Sequence, residues 1–280
     1  MDGDGYLDII TAPGRSTAPA IKIFRGAPGS QQGTLLTTIP ASKTFGSTFV
    51  SGVNLAVGDV DGDGAADIVL APELGRATIK VLHNRLLETF TGSQFIQTHS
   101  FDAFPDLASY NGGGRIAVGN FTGGPTSARE LVVATGAGTV GKLRLYNVAA
   151  ATPLRLWTKS DPASFTGGLF VAAGDVNGDG FDDIVTSAGA NGSGRIRVYN
   201  HSGTQLKTFL PFTIAENQNA AVQVTLRDTD RDGRSEVFAV QGQDGRSGYK
   251  VKKFNPMSAA LVDAFFATGP DFGGGGLSIG

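Results

Sequence analysis

Short apolar segments, separated by glycine-containing turns, run through this chain. The stretch 78–82 alternates polar and apolar residues, as a half-exposed strand does. Segments 21–24, 143–146, 196–199 and 249–252 show the same alternation. Small apolar stretches such as 55–58 and continuous apolar runs such as 68–71 precede them. The pattern predicts an all-β protein with many short strands.

The strand pattern repeats along the chain. The residue at position 59 has counterparts at 120, 175 and 228, at steps of 53 to 61 residues. A fifth copy is split: residues 277–280 match 55–58, and residues 1–5 match 60–64. We therefore expect one domain over 1–280, made of five repeats with markers near 1, 59, 120, 175 and 228.

Each repeat carries four strand-like stretches, too few to bury both faces of an isolated sheet. Radial packing around an axis buries those faces and protects the strand edges. The predicted fold is therefore a β-propeller of five four-stranded blades. Strand 277–280 would share a blade with strand 9–11, so that both termini close the ring.

Composition narrows the function classes. The chain has 41 glycines among 280 residues, 17% charged residues and no cysteine, which excludes disulfides and thiolate metal sites. No apolar run of about 18 residues predicts a membrane span. The net charge of −2 indicates no polyanionic partner, so we expect no nucleic-acid binding.

Four acidic loops stand out because they share one spacing. Asp59 to Asp67 carries carboxylates at positions 1, 3, 5 and 9, with glycine at positions 4 and 6. The loops hold 14 of the 25 acidic residues, whereas solubilising charge would be scattered. Alternate carboxylates around a tight turn make an oxygen cage, which suits a hard cation and calcium above all.

We expect about four calcium sites, with a position-7 carbonyl completing each. The predicted ligands are Asp2, Asp4, Tyr6 and Asp8; Asp59, Asp61, Asp63, Ala65 and Asp67; Asp175, Asn177, Asp179, Phe181 and Asp183; and Asp228, Asp230, Asp232, Arg234 and Glu236. The first site lacks its position-1 ligand and is expected to be weaker. The alternative interpretation is that Asp and Asn only cap tight turns.

Two positions depart from the pattern. The third repeat has Asn120 but no carboxylate at positions 3 and 5, and Glu130 lies two residues too late to match Asp67. We expect no calcium there. Asp182, at loop position 8, is expected to be solvated.

The acidic segments resemble the FG-GAP/VCBS-type repeats of integrin α-chain propellers and of many secreted bacterial proteins. The family pattern, an apolar strand followed by Gly-Asp-x-Asp/Asn-x-Asp-Gly-x-x-Asp-Ile/Leu, matches residues 58–68 and 174–184. The resemblance implies an extracellular or cell-surface calcium-binding propeller and specifies no ligand. Integrin propellers have seven blades, so five repeats depart from that branch.

The first functional hypothesis is a non-catalytic adhesion, binding or structural module, monomeric, with a protein or glycan ligand on a loop face. We predict no catalytic residues and no organic cofactor, because the glycine motifs at 136–141 and 276–280 lie between or within strands rather than before a helix. The alternatives are a polysaccharide lyase or hydrolase acting in the propeller channel, and a trimmed or engineered scaffold.

Overall fold

Five antiparallel sheets make up the protein, as predicted. The computed structural model describes residues 1–27, 33–85, 92–123, 128–161, 164–213, 216, 220–241 and 250–266. Each sheet is a meander in which strands adjacent in sequence pair with one another. The fold is a five-bladed β-propeller.

The strands follow the repeats. Blade one contains β1 (Ile9–Thr11), β2 (Ile21–Phe24) and β3 (Leu35–Ile39). Blade two contains β4 (Val53–Gly58), β5 (Asp67–Pro72), β6 (Thr78–Asn84) and β7 (Phe95–Asp102). Blade three contains β8 (Gly114–Gly119), β9 (Glu130–Thr135), β10 (Lys142–Asn147) and β11 (Leu154–Ser160). Short 3₁₀ turns form at Ala41–Lys43 and Gly92–Gln94.

The last two blades repeat this order. Blade four contains β12 (Leu169–Gly174), β13 (Asp183–Ala188), β14 (Ile196–Tyr199) and β15 (Gln205–Phe209). Blade five contains β16 (Val222–Arg227), β17 (Glu236–Gln241), β18 (Lys250–Phe254) and β19 (Leu261–Phe266). The predicted closing strand 277–280 lies outside the described residues, so blade one shows three strands.

Differences in burial explain why the second strands of the blades have a different residue pattern from the third strands. The second strands β5, β9 and β13 are buried along their whole length, which accounts for their continuous apolar runs. The first strands β4, β8, β12 and β16 contact one another in sequence order and line a central cavity of about 700 Å³. The acidic loops join first to second strands and therefore lie at one end of this channel.

Neighbouring blades share hydrophobic cores, which hold the ring together. One cluster joins blades two and three through Val81 and Leu131, and another joins blades four and five through Val185 and Val237. Phe104 packs into the core between blades two and three, whereas Phe265 and Phe266 on the outermost strand β19 are exposed.

A register shift recurs in all five blades between the third and fourth strands. It falls at Ile23/Phe24, Val81/Leu82, Leu145/Tyr146, Val198/Tyr199 and Lys253/Phe254. A bulge at this point increases the local twist of the strand and changes the direction of the side chains that follow. In blades one and two the next residue, Arg25 or His83, contacts a carboxylate of the acidic loop.

Candidate metal centre

The loop of repeat two, residues 59–67 and hereafter loop two, is organised by its own carboxylates. Asp59 accepts hydrogen bonds from the backbone N–H groups of Gly62 at 2.7 Å and Gly64 at 2.9 Å. Asp61 accepts from the N–H of Asp63 at 3.1 Å, and Asp63 accepts from that of Ala65 at 2.8 Å. These bonds fix the side chains at positions 1, 3 and 5 around one turn of backbone.

Loops four (175–183) and five (228–236) repeat this hydrogen-bond pattern. Asp175 accepts from Gly178 and Gly180, and Asp228 accepts from Arg231 and Gly233. In loop one (residues 2–8), Asp2 and Asp4 make the bonds expected at positions 3 and 5. The shared spacing in sequence therefore produces a shared loop geometry.

Three of these loops gather three acidic side chains closely enough to share one ion. Ligand atoms of Asp2, Asp4 and Asp8, of Asp59, Asp61 and Asp63, and of Asp228, Asp230 and Asp232 lie within 4.8 Å of one another in each set. A shell of carboxylate and carbonyl oxygens is the donor set that calcium prefers. The predicted position-7 carbonyl ligands, of Tyr6, Ala65, Phe181 and Arg234, remain predictions.

Loop four differs in detail because position 3 is an asparagine. Asn177 donates from Nδ2 to Asp179 at 2.9 Å and to Asp183 at 3.3 Å, so its amide nitrogen faces the carboxylates. Rotating the amide by half a turn would present Oδ1 instead. Oδ1 accepts from the N–H of Asp179 at 2.8 Å, so a cation that uses Asn177 as a ligand requires this rotation and the loss of that bond.

The position-9 carboxylates are buried and tie the loop to the strand pair. Asp67 accepts from the N–H of Val60 at 2.9 Å and from that of Asn84 at 2.8 Å. Asp183 accepts from the N–H of Val176 at 3.0 Å. Desolvation by burial raises the pKa of Asp67 and that of Asp183 to about 7. Ionising either group without a neighbouring cation therefore costs free energy.

Loop one already holds a cation of the protein. The guanidinium of Arg25, just beyond β2, lies 3.2 Å from Asp2 and 3.1 Å from Asp4. These are the carboxylates that the sequence assigned to a weak calcium site. Because a metal ion would have to compete with this ion pair, loop one is the poorest of the four acidic loops for calcium.

The comparison of Glu130 with Asp67 from sequence spacing was wrong. Glu130 pairs with Gly119 as Asp67 pairs with Gly58, and it accepts from the N–H of Phe121 at 2.8 Å. Loop three is longer, so the residue count shifted while the structural position did not. Glu130 thus caps the loop as the other position-9 acids do.

Asp182 was expected to be solvated, and this expectation was also wrong. Its carboxylate accepts from the N–H of Asn120 at 2.7 Å, and its own N–H donates to the Asn120 carbonyl at 2.7 Å. Equivalent backbone bonds join Arg129 to Asp59 and Ser235 to Asp175. Loops two to five are therefore linked from blade to blade at one end of the channel.

Sequence reasoning missed one functional candidate, His83. Its Nδ1 lies 3.1 Å from Oδ2 of Asp61, and it forms a group with Asp61 and Asp67 within 4.8 Å. The residue belongs to the end of β6, far from the loop in sequence. Only the pairing of β5 with β6 brings it there, so spacing within the loop carried no signal for it.

The opposite mouth of the channel carries a different polar group. Arg115 donates to the carbonyl of Glu73 at 3.3 Å and lies over the ring of Phe170, and burial lowers its pKa. The Glu73 carboxylate pairs with Arg15 at 2.8 Å. Glu73 and Arg115 are the charged residues among the described residues that line the cavity.

No helix in the described part of the chain has both the length and the apolar character needed to cross a bilayer.

Comparison with known proteins supports the fold. Residues 1–70 and 175–239 match the FG-GAP-like repeat. No curated protein sequence matches the chain. Among solved structures, the Dos1 propeller has 12% identity and a TM-score of 0.51, covering 95% of this chain and 57% of that one. A luciferin-regenerating enzyme has 11% identity and a TM-score of 0.50, with coverages of 95% and 79%.

A rhamnogalacturonan lyase from Bacillus licheniformis has 21% identity and a TM-score of 0.48, covering 95% of this chain and 49% of the lyase. This chain thus spans about half the length of that protein. At these identities the similarities concern the fold alone. The chain thus carries FG-GAP-like repeats within a five-bladed propeller, which is consistent with an FG-GAP-type repeat β-propeller.

Proposed function

We propose that this protein is a calcium-binding, non-catalytic propeller that acts as an extracellular binding or adhesion module. The observation that carries the proposal is the recurrent loop in which alternate carboxylates converge at the junction of two inner strands. An ion at this point would neutralise repelling charges and fix the loop. Loop five is the best calcium candidate, since the three side chains that it gathers are all carboxylates. Loop four is a candidate when Asn177 presents its amide oxygen.

The arrangement of the carboxylates supports an ion-binding role over simple turn capping. In loops two and five, the carboxylates at positions 3 and 5 each accept a hydrogen bond from a backbone N–H through one oxygen. The accepting atoms are Oδ1 of Asp61, Asp63, Asp230 and Asp232. A carboxylate has two oxygens, so Asp63, Asp230 and Asp232 each retain one for a cation, whereas the second oxygen of Asp61 faces Nδ1 of His83. Hydrogen bonds to a ligating carboxylate orient it toward the metal.

A calorimetric titration tests the calcium proposal. After treatment with EDTA, the protein should bind calcium, and the melting temperature Tm should rise as a ligand of the native state requires. Saturation at about 100 times Kd corresponds to about 2.7 kcal/mol per site. Asp179→Ala and Asp232→Ala should each remove one binding equivalent.

The matched control is Asp263→Ala, which removes an exposed aspartate on β19 that belongs to none of the acidic loops. It should leave both stoichiometry and Tm unchanged. An unchanged Tm in EDTA, together with no heat of calcium binding up to millimolar concentration, would reject the proposal.

The value of Kd bears on the extracellular setting. Extracellular calcium modules bind with Kd of about 10⁻⁴–10⁻³ M, whereas cytosolic buffers bind far more tightly. A Kd in the first range would support an extracellular module, and one near 10⁻⁸ M would contradict it.

The non-catalytic part of the proposal is tested separately. The described residues that line the channel offer Glu73 and Arg115 as charged groups, and both are engaged in contacts within the protein. A panel of glycans and proteins should therefore show binding without bond cleavage. Cleavage of a polysaccharide that Glu73→Gln abolishes would favour the enzymatic alternative.

A further inference from the structure

One structural position decides what faces each acidic loop: the residue that directly follows the bulged end of the third strand. It is Arg25 in blade one, His83 in blade two, and Asn147, Asn200 and Asn255 in blades three, four and five. Strand register fixes this equivalence, since Phe24, Leu82, Tyr146, Tyr199 and Phe254 pair with corresponding residues of the second strands.

The three asparagines turn away from the loops. Asn147 accepts a hydrogen bond from Ala149, Asn200 from Thr204, and Asn255 from Met257, so each caps the hairpin that leads to the fourth strand. The third strand consequently directs no imidazole or guanidinium group at loops four and five. Arg25 instead reaches its loop and pairs with Asp2 and Asp4.

His83 also reaches its loop, but with a group that can ligate a metal. Nδ1 lies 3.1 Å from Oδ2 of Asp61, and Nε2 is buried with no hydrogen-bond partner in the described part of the chain. The polar contact of the His83 ring is therefore the one that Nδ1 makes with Asp61 in loop two. The ring of His99, 5.9 Å away between centroids, packs against it and limits its rotation.

The separation of the donor atoms suits a shared metal. Two ligands about 2.1 Å from one metal ion lie about 3.0–3.4 Å apart in octahedral or tetrahedral geometry. The Nδ1–Oδ2 distance of 3.1 Å falls in this interval. Asp67 is held by Val60 and Asn84 and supplies a further carboxylate within 4.8 Å.

We propose that Asp61, Asp67 and His83 form a mixed nitrogen and oxygen site for a first-row transition-metal dication such as zinc. Imidazole suits zinc and its neighbours in the first row, whereas calcium prefers oxygen. Loop two would then differ in metal preference from loops four and five. This inference shares loop two with the proposed calcium-binding function and concerns which ion that loop selects.

The test is a zinc titration with calcium in excess, so that loops containing only oxygen ligands are occupied by calcium. The wild type should bind one zinc ion under these conditions. His83→Asn installs the residue found in blades three to five and should weaken zinc binding at least about tenfold. His83→Gln serves as a second variant, and circular dichroism should confirm that both fold.

His201→Asn is the matched control, because His201 stacks on Phe181 beside loop four and belongs to none of the groups of metal-ligating side chains found among the described residues. It should bind zinc as the wild type does. Equal zinc affinity in the wild type and both folded His83 variants would overturn the inference. So would an equal loss in His201→Asn, which would indicate adventitious imidazole binding.

The calcium proposal fails or stands independently. Absence of calcium binding in loops four and five would reject that proposal, while the difference in zinc affinity between wild type and His83→Asn would still decide this one.

Discussion

Glycine at loop position 6 is a backbone requirement at the scale of one residue. Gly5, Gly64, Gly180 and Gly233 all have φ between +85° and +90°, a region that side chains disfavour. At position 4 the requirement is weaker, because Arg231 adopts φ +65° there. Both glycines are visible in the sequence, and the structure shows that the positive φ at position 6 is the stricter requirement.

Gly180→Ala tests this requirement. Nothing lies within 4 Å of the added Cβ, so the cost is backbone strain alone. We expect the free energy of unfolding to fall by about 1 kcal/mol. Backbone strain at positive φ destabilises the folded state, and the lower entropy of alanine in the unfolded chain offsets part of that cost. Gly14→Ala, also in open space but without positive φ, should leave Tm unchanged or slightly higher. A comparable loss in both variants would argue against strain as the cause.

Asp182 gives a second prediction at this scale. Removing its carboxylate leaves the N–H of Asn120 without its acceptor, and a buried unsatisfied donor costs about 1–3 kcal/mol. Asp182→Ala should lower Tm equally in calcium and in EDTA. Asp182→Asn retains an acceptor oxygen and should lower Tm much less. Burial raises the pKa of Asp182, so replacing its carboxylate with a neutral amide removes little favourable charge interaction. A calcium-dependent loss would instead place Asp182 among the ligands.

At the scale of elements, ion pairs and hydrogen bonds of Glu216, hereafter the Glu216 link, hold the segment between blades four and five. Glu216 accepts from the N–H of Thr213 at 2.8 Å and pairs with Lys252 at 3.0 Å and Lys250 at 3.3 Å. Thr213 in turn accepts from the N–H of Glu216, which completes a capping box. The link thus fastens the connection to the third strand of blade five.

This link predicts a dependence of stability on pH. The Thr213 N–H, followed by the two lysines, lowers the pKa of Glu216 from 4.5 to about 2. The folded state then binds fewer protons than the unfolded state, so its stabilising effect is full above pH 4.5 and disappears toward pH 2. Glu216→Gln should lower Tm by about 2–4 °C at pH 7, as about 1 kcal/mol does in a domain of this size.

Melting curves of the wild type and Glu216→Gln between pH 7 and pH 3 measure this effect. The gap in Tm between them should narrow as the pH falls. A constant gap would show that packing rather than charge is responsible.

At the scale of the whole molecule, shared cores between blades should make the ring unfold as one unit. Trp157, the one tryptophan of the chain, packs beside the core shared by blades three and four. Its fluorescence reports blade three, whereas far-UV circular dichroism reports all blades. The two thermal transitions should coincide.

Ile196→Ala sharpens this test, because Ile196 is fully buried in the core between blades four and five. A cavity there should cost about 2–5 kcal/mol and should move the Trp157 transition as far as the overall one. Val262→Ala, on the exposed strand β19, should move neither. A Trp157 transition unaffected by Ile196→Ala would mean that the blades unfold separately.

The sequence by itself determined the strands, the repeat, the blade number and the acidic loops. All of these depend on local patterns: side-chain alternation, turn residues and a fixed spacing of carboxylates. The Leu55–Gly58 and Ile68–Ala71 segments, for instance, fall within β4 and β5, where the pattern predicted strands.

Only the tertiary structure decided what faces each loop. His83 and Arg25 reach the loops across paired strands, Asp182 bonds to the preceding blade, and Glu130 keeps its register in a longer loop. These contacts join residues distant in sequence, and strand register and a recurrent bulge bring them together. The ion that each loop is proposed to prefer therefore depends on neighbours that no pattern within the loop reveals.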